Sequence, residues 1–262
     1  MALLRCEFKS VLLGKAVSAN IIIPQCQYIK GGNHDRSSEP GYKTLFLLHG
    51  LSDDCSAWCR YSSIERYATK YNIAVVMPDG GRSFYTDAKN GFPWWTFISE
   101  ELPQSVSAMF NLSLKREDCF AAGLSMGGYG ALKLGLRCPE RFAAVAGLSP
   151  VVDLHRRFTA PESSPWLPEL VNIFGSPEAA VADGNDLLTL AKEAKASGTR
   201  LPRILTICGS DDFMIQDNRE FNQAMDALQL DDYRHFEYPG NHNWEFWDTH
   251  IQQALKFFFE AE

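Results

Sequence analysis

The chain has 262 residues, 45% hydrophobic and 22% charged, the balance of a globular protein and not of a disordered chain or a fibre. Its net charge of −7 disfavours a duplex nucleic-acid binder, which normally carries a basic face. No apolar run approaches the ~18 residues of a membrane span, and Arg5, Glu7 and Lys9 interrupt the amino-terminal stretch where a secretion signal would need one. The length suits one large domain or two small ones. Seven scattered cysteines, several in apolar segments, read as buried thiols in a reduced compartment, so a cytoplasmic location is expected. Cys55 and Cys59 are the only close pair, with no matching second pair, so no metal is expected.

Taken in order, the first 25 residues predict an antiparallel hairpin. Apolar runs around Phe8–Leu13 and Val17–Ile23 flank Gly14-Lys15, and Pro24 ends the second. Residues 31–41 read as a loop. Short continuous apolar runs then recur at Thr44–Leu48, Ile73–Met77, Phe120–Leu124, Phe142–Leu148 and Ile204–Ile207, as expected of strands buried on both faces of a parallel sheet. Helical spacing separates them. Phe97, Leu102, Val106 and Met109/Phe110 recur, with Pro103 near a start or kink. Phe221, Ala224/Met225 and Leu228 recur behind Asp217 as the expected N-cap, and Trp247, Ile251, Leu255 and Phe258 form a last amphipathic helix. The alternation predicts an α/β fold with a mostly parallel central sheet and helices on both faces. Residues 151–200, with Pro161, Pro165, Pro168 and Pro177, break the rhythm and read as a lid-like insertion within a single domain of residues 1–262. Their apolar character also makes them a surface on which a homo-oligomer could form.

The sharpest local signal is Gly123-Leu124-Ser125-Met126-Gly127, a G-x-S-x-G. A buried-strand pattern runs into it and a helical pattern out of it, the context a nucleophile elbow requires. The glycines have a steric reason: a Cβ at Gly123 or Gly127 would collide with the neighbouring strand or helix. A phosphate-binding turn is the rival reading, but no Lys-Ser/Thr follows and no G-x-G-x-x-G is present.

A serine nucleophile needs a base and a carboxylate to orient it, here expected in the chain order Ser, acid, His. His235 lies within a strand-like run and His250 within the last helix, whereas His242 sits in the loop Pro239-Gly240-Asn241-His242-Asn243 directly after a strand. The acid should follow Ile204–Ile207, in Cys208-Gly209-Ser210-Asp211-Asp212-Phe213; Asp212 is favoured, with Asp211 the alternative. The strand leading into His49-Gly50-Leu51 suits an oxyanion loop donating the Leu51 N–H, the second donor being the N–H of Met126 at a helix start. His49 is expected to hold that loop. Tyr85, Phe92, Trp94, Trp95 and Phe97 fall between strand ends and, with Trp58 and Phe213, are candidates for a substrate pocket, core packing being the alternative.

The segments LFLLHGLSDDCSAW, VVMPDGGRSFYTD, WWTFISEELP, GLSMGGYGALKLGL, CGSDDF and GNHNWEFW, in this order, resemble the esterase-D-like branch of the α/β-hydrolases. They are most similar to bacterial tributyrin esterases, relatives of S-formylglutathione hydrolase. The resemblance spans nearly the whole chain, most firmly 44–150 and 203–250, and departs in 151–200. It implies an α/β-hydrolase fold, a Ser125–Asp212–His242 triad, an oxyanion hole of Leu51 and Met126, and cofactor-free hydrolysis of short-acyl esters. S-formylglutathione hydrolysis, feruloyl or carbohydrate acetyl esterase activity and acyl transfer are the nearby alternatives. A non-catalytic binding module is the rival from another class, and it would be expected to have lost one of the three residues.

Overall fold

The apolar runs become strands buried along their whole length, because helices cover both sides of the sheet they form. The computed structural model describes residues 1–25, 41–159 and 165–260; the expected 31–41 loop, Gly41 apart, lies outside them. The strands are β1 (Ala2–Lys9), β2 (Ala16–Ile23), β3 (Thr44–Leu48), β4 (Ala74–Pro78), β5 (Cys119–Leu124), β6 (Ala144–Leu148), β7 (Arg203–Gly209) and β8 (Tyr233–Tyr238). They form one eight-stranded sheet in the order β1-β2-β4-β3-β5-β6-β7-β8. β1, β2 and β4 are paired antiparallel and the rest parallel. This is the expected α/β-hydrolase architecture with an N-terminal hairpin.

The helices are α1 (Ala57–Tyr61), α2 (Ile64–Tyr71), α3 (Trp94–Thr96), α4 (Leu102–Phe110), α5 (Met126–Arg137), α6 (Leu154–Thr159), α7 (Leu167–Phe174), α8 (Pro177–Ala182), α9 (Leu187–Ser197), α10 (Ile215–Ala227) and α11 (Trp244–Phe259). Side chains alternate across each strand, and this sorts the helices onto two faces. Leu45 and Leu47 pack with Trp58, Ile64, Ile251 and Leu255 of α1, α2 and α11. Phe46 and Leu48 pack with Phe97, Leu102, Leu132 and Phe221 on the other side.

Three local features depart from the expectations. β1 starts at Ala2 and the apolar run 8–13 crosses the turn, because Leu13 is buried while Val11 is 84% exposed. That turn is held from outside: the Glu101 carboxylate accepts from Ser10 Oγ (2.5 Å), Val11 N (2.6 Å) and Leu12 N (3.3 Å). This gives the Glu-Glu-Leu-Pro piece a structural role. The helix carrying it widens to a π turn over Phe97–Glu101 before α4. Pro103 has no N–H for the Ser99 carbonyl one turn back, and Arg141 Nη1 donates to that carbonyl instead. Asp217, expected to cap α10, lies inside its first turn and pairs with Arg156 (2.9 Å) and Arg157 (2.8 Å) of α6. A tertiary ion pair has overridden the local cap.

The described part of 151–200 is four helices docked on the sheet's second face. The Tyr129 hydroxyl donates to the Asn185 carbonyl (2.7 Å), and the Lys89 and Asn90 amides donate to the Ile173 and Asn172 carbonyls (3.0 Å each). Lys133 of α5 is fully buried, and its amine donates to Thr86 Oγ1 (2.7 Å) and Asn185 Oδ1 (3.1 Å), neutral partners both, beside the Trp95 ring. Burial, and then the nearby Arg137 charge, hold its pKa well below the lysine range.

The strand order reverses at β3, whose neighbours are β4 and β5. Ligand sites of open α/β sheets lie beyond the carboxyl ends of the strands at such a switch point. Here those ends are His49-Gly50-Leu51 after β3 and Ser125 after β5. The two turns can meet because two residues lack side chains: a Cβ on Gly123 would lie 2.3 Å from the Gly127 carbonyl oxygen, and one on Gly127 would lie 2.4 Å from that of Leu48. Backbone stands on both sides, so neither site can relax cheaply. We expect Gly127→Ala to cost about 3 kcal/mol, the upper range for overpacking. At ~2–4 °C per kcal/mol for a chain of this size, thermal unfolding should shift down by roughly 10 °C; an unchanged melting temperature would contradict the packing described.

Candidate active site

Ser125 follows β5 and precedes α5 with φ 52° and ψ −118°, a conformation that L-residues rarely adopt. The turn survives because its backbone is tied on both sides. Ser125 N donates to the Leu148 carbonyl (2.9 Å), and the Ser125 carbonyl accepts from Tyr129 N (3.0 Å) and Val151 N (3.3 Å). Such a turn lifts the side chain out of the sheet, and Ser125 lines a cavity of about 730 Å3.

His242 lines the same cavity. Its loop follows β8 and is clamped from the next residue, where the Asn243 side chain accepts from Phe246 N (3.0 Å) and starts α11. It is clamped again at Gly240, whose carbonyl accepts from Asp211 N (3.0 Å). A Cβ on Gly209 would lie 2.3 Å from that oxygen, so the acid-bearing turn and the histidine loop meet only because Gly209 is bare. Asp212 is the aspartate of the pair that the fold buries. One oxygen accepts from Met214 N (2.9 Å), and the other faces His242 Nδ1 at 2.8 Å. Asp211 is exposed and accepts only from Ser210 Oγ (3.2 Å) among the described residues. Burial pushes the Asp212 carboxyl up; the His242 ring, the Met214 N–H and the Ser149 hydroxyl pull it down, and the balance leaves it below the ordinary carboxylate value. The imidazole is boxed by Phe213 and Trp247, with ring centroids at 4.7 and 4.9 Å.

The loop His49-Gly50-Leu51, expected to carry an oxyanion donor, is oriented by His49, which is 1% exposed. Nε2 accepts from Gly80 N (2.9 Å), so Nδ1 carries the proton and donates to the Gly50 carbonyl (2.7 Å). That carbonyl also accepts from Asp53 N (3.2 Å). Across a trans peptide the N–H points opposite to the C=O, so the Leu51 N–H is turned away from these partners, and Gly50 and Leu51 both line the cavity. Met126 opens α5, so its N–H belongs to the unpaired first turn at the positive end of the helix dipole.

Of the seven pocket aromatics expected from sequence, Phe213 lines the cavity and the other six do not. Trp58 is buried and donates from Nε1 to the Leu48 carbonyl (3.0 Å). Tyr85, also buried, donates its hydroxyl to the His49 carbonyl (2.9 Å), supporting the His49-Gly50-Leu51 loop from behind. Trp94 and Trp95 pack in the core, as does Phe97, while Phe92 is half exposed away from the cavity. The walls come instead from Phe84, Trp166, Leu170, Trp244 and Trp247. Trp244 and Trp247 stand two and five residues after His242, spacing that projects one turn of α11 toward the same mouth. Phe84 and Trp166 carry no such signal. Asp53 and Arg157 are the Asp, Glu, Lys or Arg residues on the wall among the described residues; burial raises the Asp53 pKa, and Arg157 is held by Asp217. Ser149, at φ 43°, carries no sequence signal either: its hydroxyl accepts from Trp247 Nε1 (3.2 Å) and touches Asp212.

Comparison with known proteins agrees in direction. The Esterase family model matches residues 26–258. An acetyl esterase of Caldicellulosiruptor saccharolyticus is 30% identical, the match covering 98% of this chain and 97% of that one. Among solved structures, the substrate-bound fluorophosphonate-binding serine hydrolase FphF of Staphylococcus aureus superposes with a TM-score of 0.89 at 32% identity, covering 99% of both chains. The S-formylglutathione hydrolase FrmB of the same organism gives 0.86 at 31% identity, again over 99% of both chains.

The depressed Asp212 pKa sets a pH dependence. The carboxylate contributes stability above the ordinary carboxylate pKa, and that contribution is lost as pH falls through the lower folded value. Urea unfolding should therefore show wild type more stable than Asp212→Asn at pH 7, with the gap narrowing below about pH 4. A gap that widens on acidification would contradict the pairing with His242.

Proposed function

The chain belongs to the esterase family and is a carboxylic ester hydrolase; from that premise we propose that it hydrolyses short-chain acyl esters through an acyl-serine intermediate. One observation carries the reading: Ser125 in its strained turn, the Asp212-paired His242 and the Leu51 and Met126 peptides all open on one cavity. Ser125 Oγ attacks the ester carbonyl while His242 Nε2 takes its proton, and the carbonyl oxygen becomes an anion facing the N–H groups of Leu51 and Met126. The intermediate collapses as His242 returns the proton to the departing alkoxide, leaving acyl-Ser125. Water, deprotonated by His242, then attacks the acyl carbon; the acid leaves and the serine recovers its proton. Asp212 holds Nδ1–H and stabilises the imidazolium without taking the proton. In this reading residues 1–262 act as one catalytic domain, with 151–200 as the cap over the cavity and no metal or cofactor in any step.

A second reading concerns the leaving group. The relative named S-formylglutathione hydrolase and a cationic Arg157 on the cavity wall favour a thioester with an anionic thiol portion.

Both readings meet in one panel: acetyl, butyryl, octanoyl and feruloyl esters plus S-formylglutathione, with purified protein. The first expects the highest kcat/KM on acetyl or butyryl esters, the second on the thioester. Ser125→Ala should abolish turnover and fluorophosphonate labelling, and Asp212→Asn should lower kcat roughly 10^4-fold at neutral pH by favouring the wrong imidazole tautomer. Wild-type rates in Ser125→Ala would overturn the mechanism, and failure of the folded wild type to label would favour a binding module.

A further inference from the structure

The proposed mechanism leaves unused an arginine that grips the oxyanion loop and the cap at once. Arg82 lies on the loop after β4. Its guanidinium donates from Nε and Nη2 to the two carboxylate oxygens of Glu169 on α7 (2.7 and 2.6 Å). The remaining fork nitrogen, Nη1, donates to the Leu51 carbonyl (3.2 Å). The guanidinium carbon also sits 5.0 Å from the Trp166 ring centroid, and Trp166 and Leu51 both line the cavity. The planar fork makes this three-way bridge specific to arginine: two donors match a carboxylate and the third direction reaches a carbonyl.

The rest of the same loop supports the same few atoms. Gly80 N–H holds His49 Nε2, and the Tyr85 hydroxyl holds the His49 carbonyl. Phe84 N–H approaches Met126 Sδ (3.3 Å). These ties are buried, whereas the Arg82 side chain is 43% exposed and the Glu169 side chain 28%, so Arg82 is the tie that solvent and the cap can both influence. A second ion pair, Lys89–Asp183 (2.8 Å), joins the loop's far end to the cap without touching Leu51, and it supplies a matched control.

We propose that Arg82 is a positioning residue for the reaction: pinned by Glu169 of the cap, it fixes the Leu51–Ser52 peptide by its carbonyl, and through the Leu51 Cα it steadies the preceding peptide, whose N–H receives the oxyanion. The inference rests on the acyl-serine reading above. Loss of Arg82 frees the outer side of Leu51, and loss of Glu169 frees the arginine, so both act through one peptide. Both should weaken stabilisation of the tetrahedral intermediate more than ground-state binding, the signature of an interaction used in the transition state.

The test uses p-nitrophenyl acetate turnover together with a trifluoromethyl ketone, whose serine adduct carries an oxyanion. Arg82→Ala should lower kcat roughly 10-fold, less than the ~10^2–10^3 of outright donor loss, with KM nearly unchanged and inhibition weakened by the same factor. Glu169→Gln should give a smaller loss, the double variant no more than Arg82→Ala alone, and Asp183→Asn wild-type kcat. Wild-type kcat and inhibition in Arg82→Ala, or additive losses in the double variant, would overturn the proposal. If Arg82→Ala does not fold, Glu169→Gln decides: wild-type kcat and inhibition there overturn it equally. A wild-type protein that neither turns over the ester nor binds the ketone instead overturns the acyl-serine reading itself, and the Arg82 role with it.

Discussion

Backbone crowding between the turn after β5 and the exit of β3 is the constraint on which the site depends. The Leu48 and His49 carbonyls stand where side chains at 123 and 127 would go. Removing those side chains lets α5 start against the loop that carries Leu51. Leu51 and Met126, which follow strands adjacent in the sheet but distant in sequence, then line one cavity, and in the proposed reading their N–H groups receive the oxyanion. Groups of this kind need no reorganisation when charge develops beside them, which is why preorganised donors carry much of the work in acyl transfer. The strain at Ser125 is tolerated because Leu148, Tyr129 and Val151 hold its backbone on both sides.

The acid and histidine halves obey the same rule. Gly209 and Gly240 bring two loops into backbone contact, and this contact sets which of two adjacent aspartates faces His242. Asp212 is buried among an imidazole, a helix-start N–H and the Ser149 hydroxyl, and these partners outweigh the cost of burying its charge. Asp211, one residue earlier, points to solvent. The contrast is one of direction and not of chemistry, since both residues offer the same carboxylate.

Around this centre the helices of residues 165–197, the loop after β4 and the His49-Gly50-Leu51 loop form one connected unit. Lys133 and Tyr129 of α5 reach Asn185 between α8 and α9, Arg82 reaches Glu169, and His49 is held from both ring nitrogens. Several strongly patterned residues serve this scaffold and do not line the cavity. Trp58 and Tyr85 hold the Leu48 and His49 carbonyls from behind and Trp94 and Trp95 pack in the core, while Phe84, Trp166, Trp244 and Trp247 line the cavity. An aromatic residue near a strand end satisfies both descriptions until its direction is known.

Sequence alone determined the parts that depend on periodicity and on local backbone need. Continuous apolar runs mark strands covered on both faces, and the bare glycines around Ser125 mark a turn that no side chain could occupy. Chain order places an acid turn after β7 and a histidine loop after β8. Only the tertiary structure decided what depends on contact across the fold. It aimed Asp212 inward, sent Asp217 to Arg156 and Arg157, used Glu101 to hold a hairpin some ninety residues away, and sorted the aromatics into scaffold and wall. The physical reason is that spacing along the chain fixes which side of an element a residue occupies, whereas the partner it meets there is set by packing of elements far apart in sequence.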